Sequence, residues 1–148
     1  MMDTRTEIAG ELNVLLANYQ IYYQNLRGFH WNIQGRDFFE LHVKFEELYN
    51  DGAIKIDEVA ERILTIEATP LHSFADYLET ANLKAETGVH NGETAVKAIV
   101  NNLSAIVSQQ KDIRKFAEDN EDGATADMMA TFIEEQEKTL WMFKSWLK

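Results

Sequence analysis

The sequence predicts an all-α chain: a four-helix bundle with a short extra helix in a long connection between the second and third helices. Three observations carry this. Apolar residues recur at alternating steps of three and four over long stretches, the spacing of a buried helical stripe. The chain has one proline and seven glycines, few breakers for its length. No stretch of useful length alternates with the period of a strand. At 148 residues it reads as one domain, 1–148, large enough to bury a core without staples.

The first helix is expected from about Thr4 to Asn32, with Leu12, Leu15, Tyr19, Tyr22, Leu26 and Phe29 as its stripe. Gly35 makes a tight turn into a second helix from about Asp37 to Glu67, carrying Phe38, Leu41, Phe45, Leu48, Ile56, Val59 and Ile63. Asn50-Asp51-Gly52 is a turn signal inside that helix. The apolar pattern resumes in phase beyond it, and one mid-helix glycine costs only about 1 kcal/mol, so the helix is read as continuous. Pro70 is expected to end it. Ser73 caps a short helix to about Leu83, with Phe74, Tyr77 and Leu78 on one side. So long a link can cross the bundle rather than join neighbours. The third long helix is expected from about Gly92 to Glu118. The fourth begins near Thr125, read as its cap, with Met128, Met129, Phe132, Ile133, Leu140, Phe143, Trp146 and Leu147 inward.

The absence of cysteine excludes disulfides, zinc ribbons and thiol catalysis. Any metal must be held by imidazole and carboxylate, a set suited to iron, manganese or zinc. The formal charge of −11 repels phosphate and favours the gathering of cations. Met1 to Glu7 lack the apolar core of a signal peptide, and no apolar run approaches the roughly 18 residues of a membrane span. A cytoplasmic protein without a membrane partner is therefore expected.

Four candidate ligands stand out: His30, His42, Asp57 and Glu61. The short turn at Gly35 makes the first two helices antiparallel, so the two imidazoles can meet across their seam. Asp57 and Glu61, spaced i, i+4, share one helix face. An acidic pair of this spacing is common on solvated helices, but Asp57 sits among Ile54, Ile56, Val59 and Ala60. Reach then matters. Fifteen residues separate His42 from Asp57, roughly 22 Å at about 1.5 Å per residue, whereas metal–ligand bonds are about 2 Å. Either the pairs are unrelated, or a neighbouring subunit completes the site across a two-fold axis near the middle of the second helix. The Glu-x-x-His motif that builds di-iron sites inside a single bundle is absent.

At this point a family resemblance appears. His30-Trp31-Asn32-Ile33-Gln34-Gly35, then Phe38, Leu41-His42, Phe45-Glu46-Glu47-Leu48-Tyr49 and Asp57-Glu58-Val59-Ala60-Glu61-Arg62 resemble the signature of the Dps mini-ferritins. Leu140-Trp141-Met142-Phe143-Lys144 resembles the end of their last helix. The resemblance implies the ferritin-like fold and a homo-dodecameric shell of tetrahedral symmetry. It implies an inter-subunit ferroxidase site, with His30 and His42 from one chain and Asp57 and Glu61 from its partner. There Fe(II) would be oxidised by hydrogen peroxide or O2 and stored as ferric mineral, protecting against oxidative damage. Iron is the only cofactor implied, with no organic group. Glu46, one turn after His42, could help a second ion. Trp31 either donates an electron, as the matching residue is thought to do in relatives, or packs the helix seam.

Other residues have bland readings beside functional ones. Glu118, Asp119, Glu121, Asp122 and Asp127 suit a solvated loop and a helix N-terminus; the resemblance implies that some line a three-fold pore, with Asp122 and Asp127 as candidates. Glu47 could face the cavity and nucleate mineral. Arg62 is expected to pair with a carboxylate, and His72 and His90 to be solvated or capping. DNA binding is not expected, because the chain is acidic and shows no Lys-rich tail. The alternative is a nucleoid-binding protective protein with only secondary iron chemistry.

Overall fold

A computed structural model describes residues 3–148; Met1 and Met2, part of the N-terminal stretch considered above, lie outside the described residues. The chain forms α1 (Thr4–Asn32), α2 (Phe38–Thr65), α3 (Phe74–Thr80), α4 (Gly92–Asp119) and α5 (Gly123–Leu147). No strand occurs among the described residues, and none of their helices is long and apolar enough to cross a membrane. The helix α1 packs against α2, α4 and the short α3, and α4 packs against α5.

The helix α1 is the axle of the bundle. Its expected stripe is buried throughout, and Ile8, Leu16 and Ile21 are buried beside it. Asp3 caps it by accepting the Arg5 N–H. Within the core, α1, α4 and α5 are tied by a closed ring of hydrogen bonds. The Tyr19 hydroxyl donates to Gln110 Oε1, Gln110 Nε2 donates to Gln136 Oε1 at 2.6 Å, and Gln136 Nε2 donates to the Tyr19 hydroxyl at 2.8 Å. No buried polar side-chain atom among the described residues lacks a partner, as a closed network requires.

The helix α2 runs unbroken through Asn50-Asp51-Gly52, as read from the pattern. The neighbouring Lys55 is only 3% exposed and lies over the Phe132 ring of α5. Its ammonium donates to both Asp51 oxygens, at 2.9 and 2.8 Å, and to Glu135 Oε2 at 2.7 Å. Burial alone would lower its pKa, but the two carboxylates override that and raise it, so the buried lysine stays charged.

Helix ends differ from expectation in instructive ways. Pro70 does not end α2. The helix stops at Thr65, where Glu67 turns into the left-handed region (φ 70°). Ala68 N–H then donates to Ile63 O and Glu67 N–H to Leu64 O, a Schellman closure. The helix α4 ends the same way: Glu121 has φ 62°, Asp122 N–H donates to Ala117 O, and Glu121 N–H to Glu118 O. Both positions normally call for glycine, and a glutamate gives no sequence signal for such a stop. Thr125 is not the cap of α5. Asp122 caps it, and Thr125 lies buried within the first turn. The short helix is capped by Ser73 as expected but ends at Thr80, and Phe74 and Leu78 are exposed rather than packed.

Relieving the left-handed strain at Glu121 is a direct test of this end geometry. Glu121→Gly is expected to raise stability by about 0.5–1 kcal/mol, the left-handed cost less the added entropy of the unfolded chain. An unchanged or lower urea midpoint would contradict it.

Candidate metal centre

The turn at Gly35 (φ 105°) brings the end of α1 against the start of α2. Its effect is to place His30 and His42 face to face, with ring centroids 3.8 Å apart and planes within 11°. Each ring is anchored on the other residue's backbone. His30 Nδ1 lies 2.6 Å from His42 O, and His42 Nδ1 lies 2.7 Å from His30 O. A carbonyl only accepts, so each Nδ1 must carry the proton and donate. Each Nε2 is thereby left as the nitrogen free to ligate. Phe38 stacks on the outer face of His42 at 4.9 Å, and the Tyr49 ring stands edge-on to His30 at 5.3 Å. His30 is buried and His42 half-buried.

Glu46 stands beside the imidazole pair. Its Oε1 lies 3.4 Å from His30 Nε2, with half of the carboxylate side chain exposed. With the Nδ1 proton committed, a bare Nε2 would face a carboxylate, two acceptors pointing at each other. A proton or a cation must stand between them. Sequence spacing aligned Glu46 with His42; the structure directs it to His30.

Asp57 and Glu61 lie on the exposed face of α2, beside Ile54 and Leu64, which are 60% and 58% exposed. Because α2 is continuous, they stand roughly 22 Å from His42 along the helix. Among the described residues no three His, Asp or Glu side chains converge into a metal cage. The bundle interior offers no substitute. Among the described residues its buried polar side chains are Asn18, Asn25, His30, Lys55, Asn102, Gln110, Thr125 and Gln136, with no carboxylate among them. The donors suited to a hard cation are therefore two separate half-sets, a largely buried imidazole pair beside Glu46 and an exposed carboxylate pair.

Trp31 does not pack the α1–α2 seam. Its indole is 57% exposed, and the Arg27 guanidinium sits 4.9 Å above it. Tyr23 and Tyr49, which the sequence reading did not single out for chemistry, form an edge-to-face pair 5.9 Å apart beside His30. Only the pairing of α1 with α2 reveals them.

The candidate pore residues separate. Asp127 is exposed on α5. The Asp122 carboxylate is not free for a pore: it accepts from Arg62 at 2.9 Å, from Thr125 N–H at 3.0 Å and from the Thr125 hydroxyl at 2.6 Å. Arg62 has the structural carboxylate partner expected of it. His72 bonds only the nearby Pro70 carbonyl, and His90 offers its backbone carbonyl to Gln34. Glu47 pairs with Lys44 at 2.7 Å on the exposed face.

A bundle with a long second-to-third connection and iron-type donors defines the ferritin-like class, and comparison with known proteins agrees. Residues 9–148 match the ferritin-like domain family. The DNA protection during starvation protein of Porphyromonas gingivalis is 42% identical over 91% of this chain and 85% of its own length. The Dps protein of Vibrio cholerae O1, described as a ferritin-like diiron-carboxylate protein, superposes with TM-score 0.97 at 49% identity, covering 98% of this chain and 91% of its own. That of Bacillus brevis gives 0.96 at 37%, covering 100% and 99%. The chain belongs to the Dps family.

The Asp122 cap makes an acid-dependent contribution. Burial alone would raise its pKa, but the Thr125 hydrogen bonds and the Arg62 charge override that and hold it below the ordinary carboxylate value. A depressed folded pKa stabilises above the unfolded value, about 3.9, and that stability is lost as pH falls through the folded value. Asp122→Ala is therefore expected to cost about 1–2 kcal/mol near neutral pH. Its deficit against wild type should narrow steadily in urea titrations taken below pH 4. A deficit independent of pH would show that the charge is irrelevant.

Proposed function

We propose that this chain is a ferroxidase and iron-storage subunit that oxidises Fe(II) at sites shared by two subunits and holds the ferric product in a dodecameric shell. The observation that carries the reading is geometric: His30 Nδ1 is committed to the His42 carbonyl, and His30 Nε2 faces the Glu46 carboxylate at 3.4 Å, a pair of acceptors that a cation can bridge. His30, His42 and Glu46 would supply one side of the site. Asp57 and Glu61 of the partner subunit would supply the other, across a two-fold axis near the middle of α2. The carboxylate-free interior supports a site between chains rather than inside one.

Iron is substrate here. Carboxylates are hard donors that favour Fe(III) over Fe(II), while the two imidazoles hold the incoming ferrous ion. Few protein ligands on the first ion leave room for a second iron and the oxidant. With peroxide the balance is two Fe(II), one H2O2 and two protons giving two Fe(III) and two waters. Electrons leave in pairs, so no hydroxyl radical is released. Dioxygen is the alternative oxidant. Asp127 is the pore candidate that remains free, and Glu47 a candidate for mineral nucleation at the cavity wall.

The relative in Porphyromonas gingivalis is named for DNA protection, so a nucleoid-binding role is the second reading. The formal charge of −11 on each chain opposes it.

Three outcomes test this. Purified protein given Fe(II) anaerobically and then peroxide should develop ferric absorbance faster than protein-free iron and elute as a shell. A monomer, or no acceleration, would defeat the proposal. Chains carrying His30→Ala/His42→Ala and chains carrying Asp57→Ala/Glu61→Ala should each be inactive. Reassembled together they should regain activity, because a dimer pairing the two variants has one site with all four ligands. Verified mixed dimers without recovery would refute a shared site. In a gel shift at physiological salt the shell should leave DNA unretarded, and a salt-resistant shift would favour the second reading.

A further inference from the structure

We propose that Tyr49, backed by Tyr23, is the side chain that supplies an electron when peroxide meets a site holding a single Fe(II). This rests on the ferroxidase reading above and concerns what happens when the second iron is missing. Peroxide takes two electrons, and one Fe(II) gives one. Without another donor, the half-reduced oxidant is a hydroxyl radical.

The geometry selects the donor. The Tyr49 ring meets the His30 imidazole edge-on at 5.3 Å, and the His30 Nδ1 contact with the His42 carbonyl leaves Nε2 as the nitrogen that can ligate. Tyr23 stands 5.9 Å behind Tyr49, also edge-on. The chain of contacts thus runs from the ligand, through Tyr49, to Tyr23. Both tyrosines are half-buried, close enough to solvent to release a phenolic proton.

Trp31 is the sequence neighbour of His30 and the more obvious donor, but its surroundings oppose it. Its indole turns outward and lies 4.9 Å beneath the Arg27 guanidinium. An indole that loses an electron first becomes a radical cation, which a fixed positive charge at that distance disfavours. A tyrosine that loses an electron and its proton becomes a neutral radical. The same guanidinium, 5.3 Å from the Tyr23 ring, therefore does not oppose a hole resting there.

The step balances. One Fe(II), one H2O2, one tyrosine phenol and one proton from solvent give Fe(III), two waters and a neutral tyrosyl radical. The O–O bond breaks, iron and the phenol are each oxidised by one electron, and the phenolic proton passes to water. Tyr23 can then reduce the Tyr49 radical, moving the hole away from the iron.

The test is freeze-quench electron paramagnetic resonance on the assembled protein. It is loaded with less than one Fe(II) per site, then mixed with peroxide, and iron oxidation is followed in the same samples. Wild type is expected to show a tyrosyl signal. Tyr49→Phe, which removes only the hydroxyl and keeps the ring, should abolish it and release hydroxyl radical to a spin trap. Tyr23→Phe should retain a signal confined to Tyr49, and Trp31→Phe should leave the tyrosyl signal in place. A signal that survives in Tyr49→Phe, or disappears in Trp31→Phe, would overturn the assignment. Accelerated iron oxidation with no tyrosyl signal in wild type would overturn it while leaving the ferroxidase standing. No acceleration over protein-free iron would bring down both.

Discussion

Everything at the proposed site depends on α2 remaining one rigid rod through Asn50-Asp51-Gly52. Left to local preference, that tripeptide would turn. The structure braces it with Lys55. This buried ammonium reaches back over Gly52 to Asp51, four residues earlier, and across to Glu135 on α5. Desolvating a lysine is costly, and two carboxylates with an aromatic face beneath are what make it tolerable. The result is a helix whose imidazole end and carboxylate end are held at a fixed separation. Neither end can fold back to complete the other.

That separation gives the chemistry its form. A bundle with carboxylates inside could bind iron alone. This one fills its interior with neutral amides and a phenol in a closed ring, Tyr19, Gln110 and Gln136. Such a network satisfies itself and offers nothing to a hard cation. The candidate carboxylate donors Asp57 and Glu61 lie instead on the surface of α2, where Ile54 and Leu64 flank them. An apolar rim around exposed carboxylates is the surface on which a second subunit can exclude water and raise the strength of their electrostatics.

Much of this was legible beforehand. The stripes of α1 and α2, and that of α5 apart from the exposed Trp146, turn inward as expected because a 3.6-residue period is written directly into apolar spacing. The candidate ligand pairs can be proposed from the sequence because residue type and reach along a helix are sequence properties. The helix ends were not. Two glutamates occupy left-handed positions, Glu67 and Glu121, that the chain's hydrogen-bonding closure requires and that no residue code announces. From the sequence Asp122 suits either a pore or a helix N-terminus, and its ion pair is hidden because the partner, Arg62, lies sixty residues away.

What the sequence by itself determined was the all-α class, the continuity of the second helix and the impossibility of a single-chain site joining His42 to Asp57. Those follow from periodicity and from the length of a helical residue. What only the tertiary structure decided was how the half-site is wired. The two histidines fix each other's tautomer through backbone carbonyls, Glu46 turns to His30, and Tyr49 and Tyr23 line up behind it while Trp31 is drawn away under Arg27. These are contacts between α1 and α2 at angstrom scale. They depend on the crossing of two helices and on the turn at Gly35, and a one-dimensional pattern carries neither.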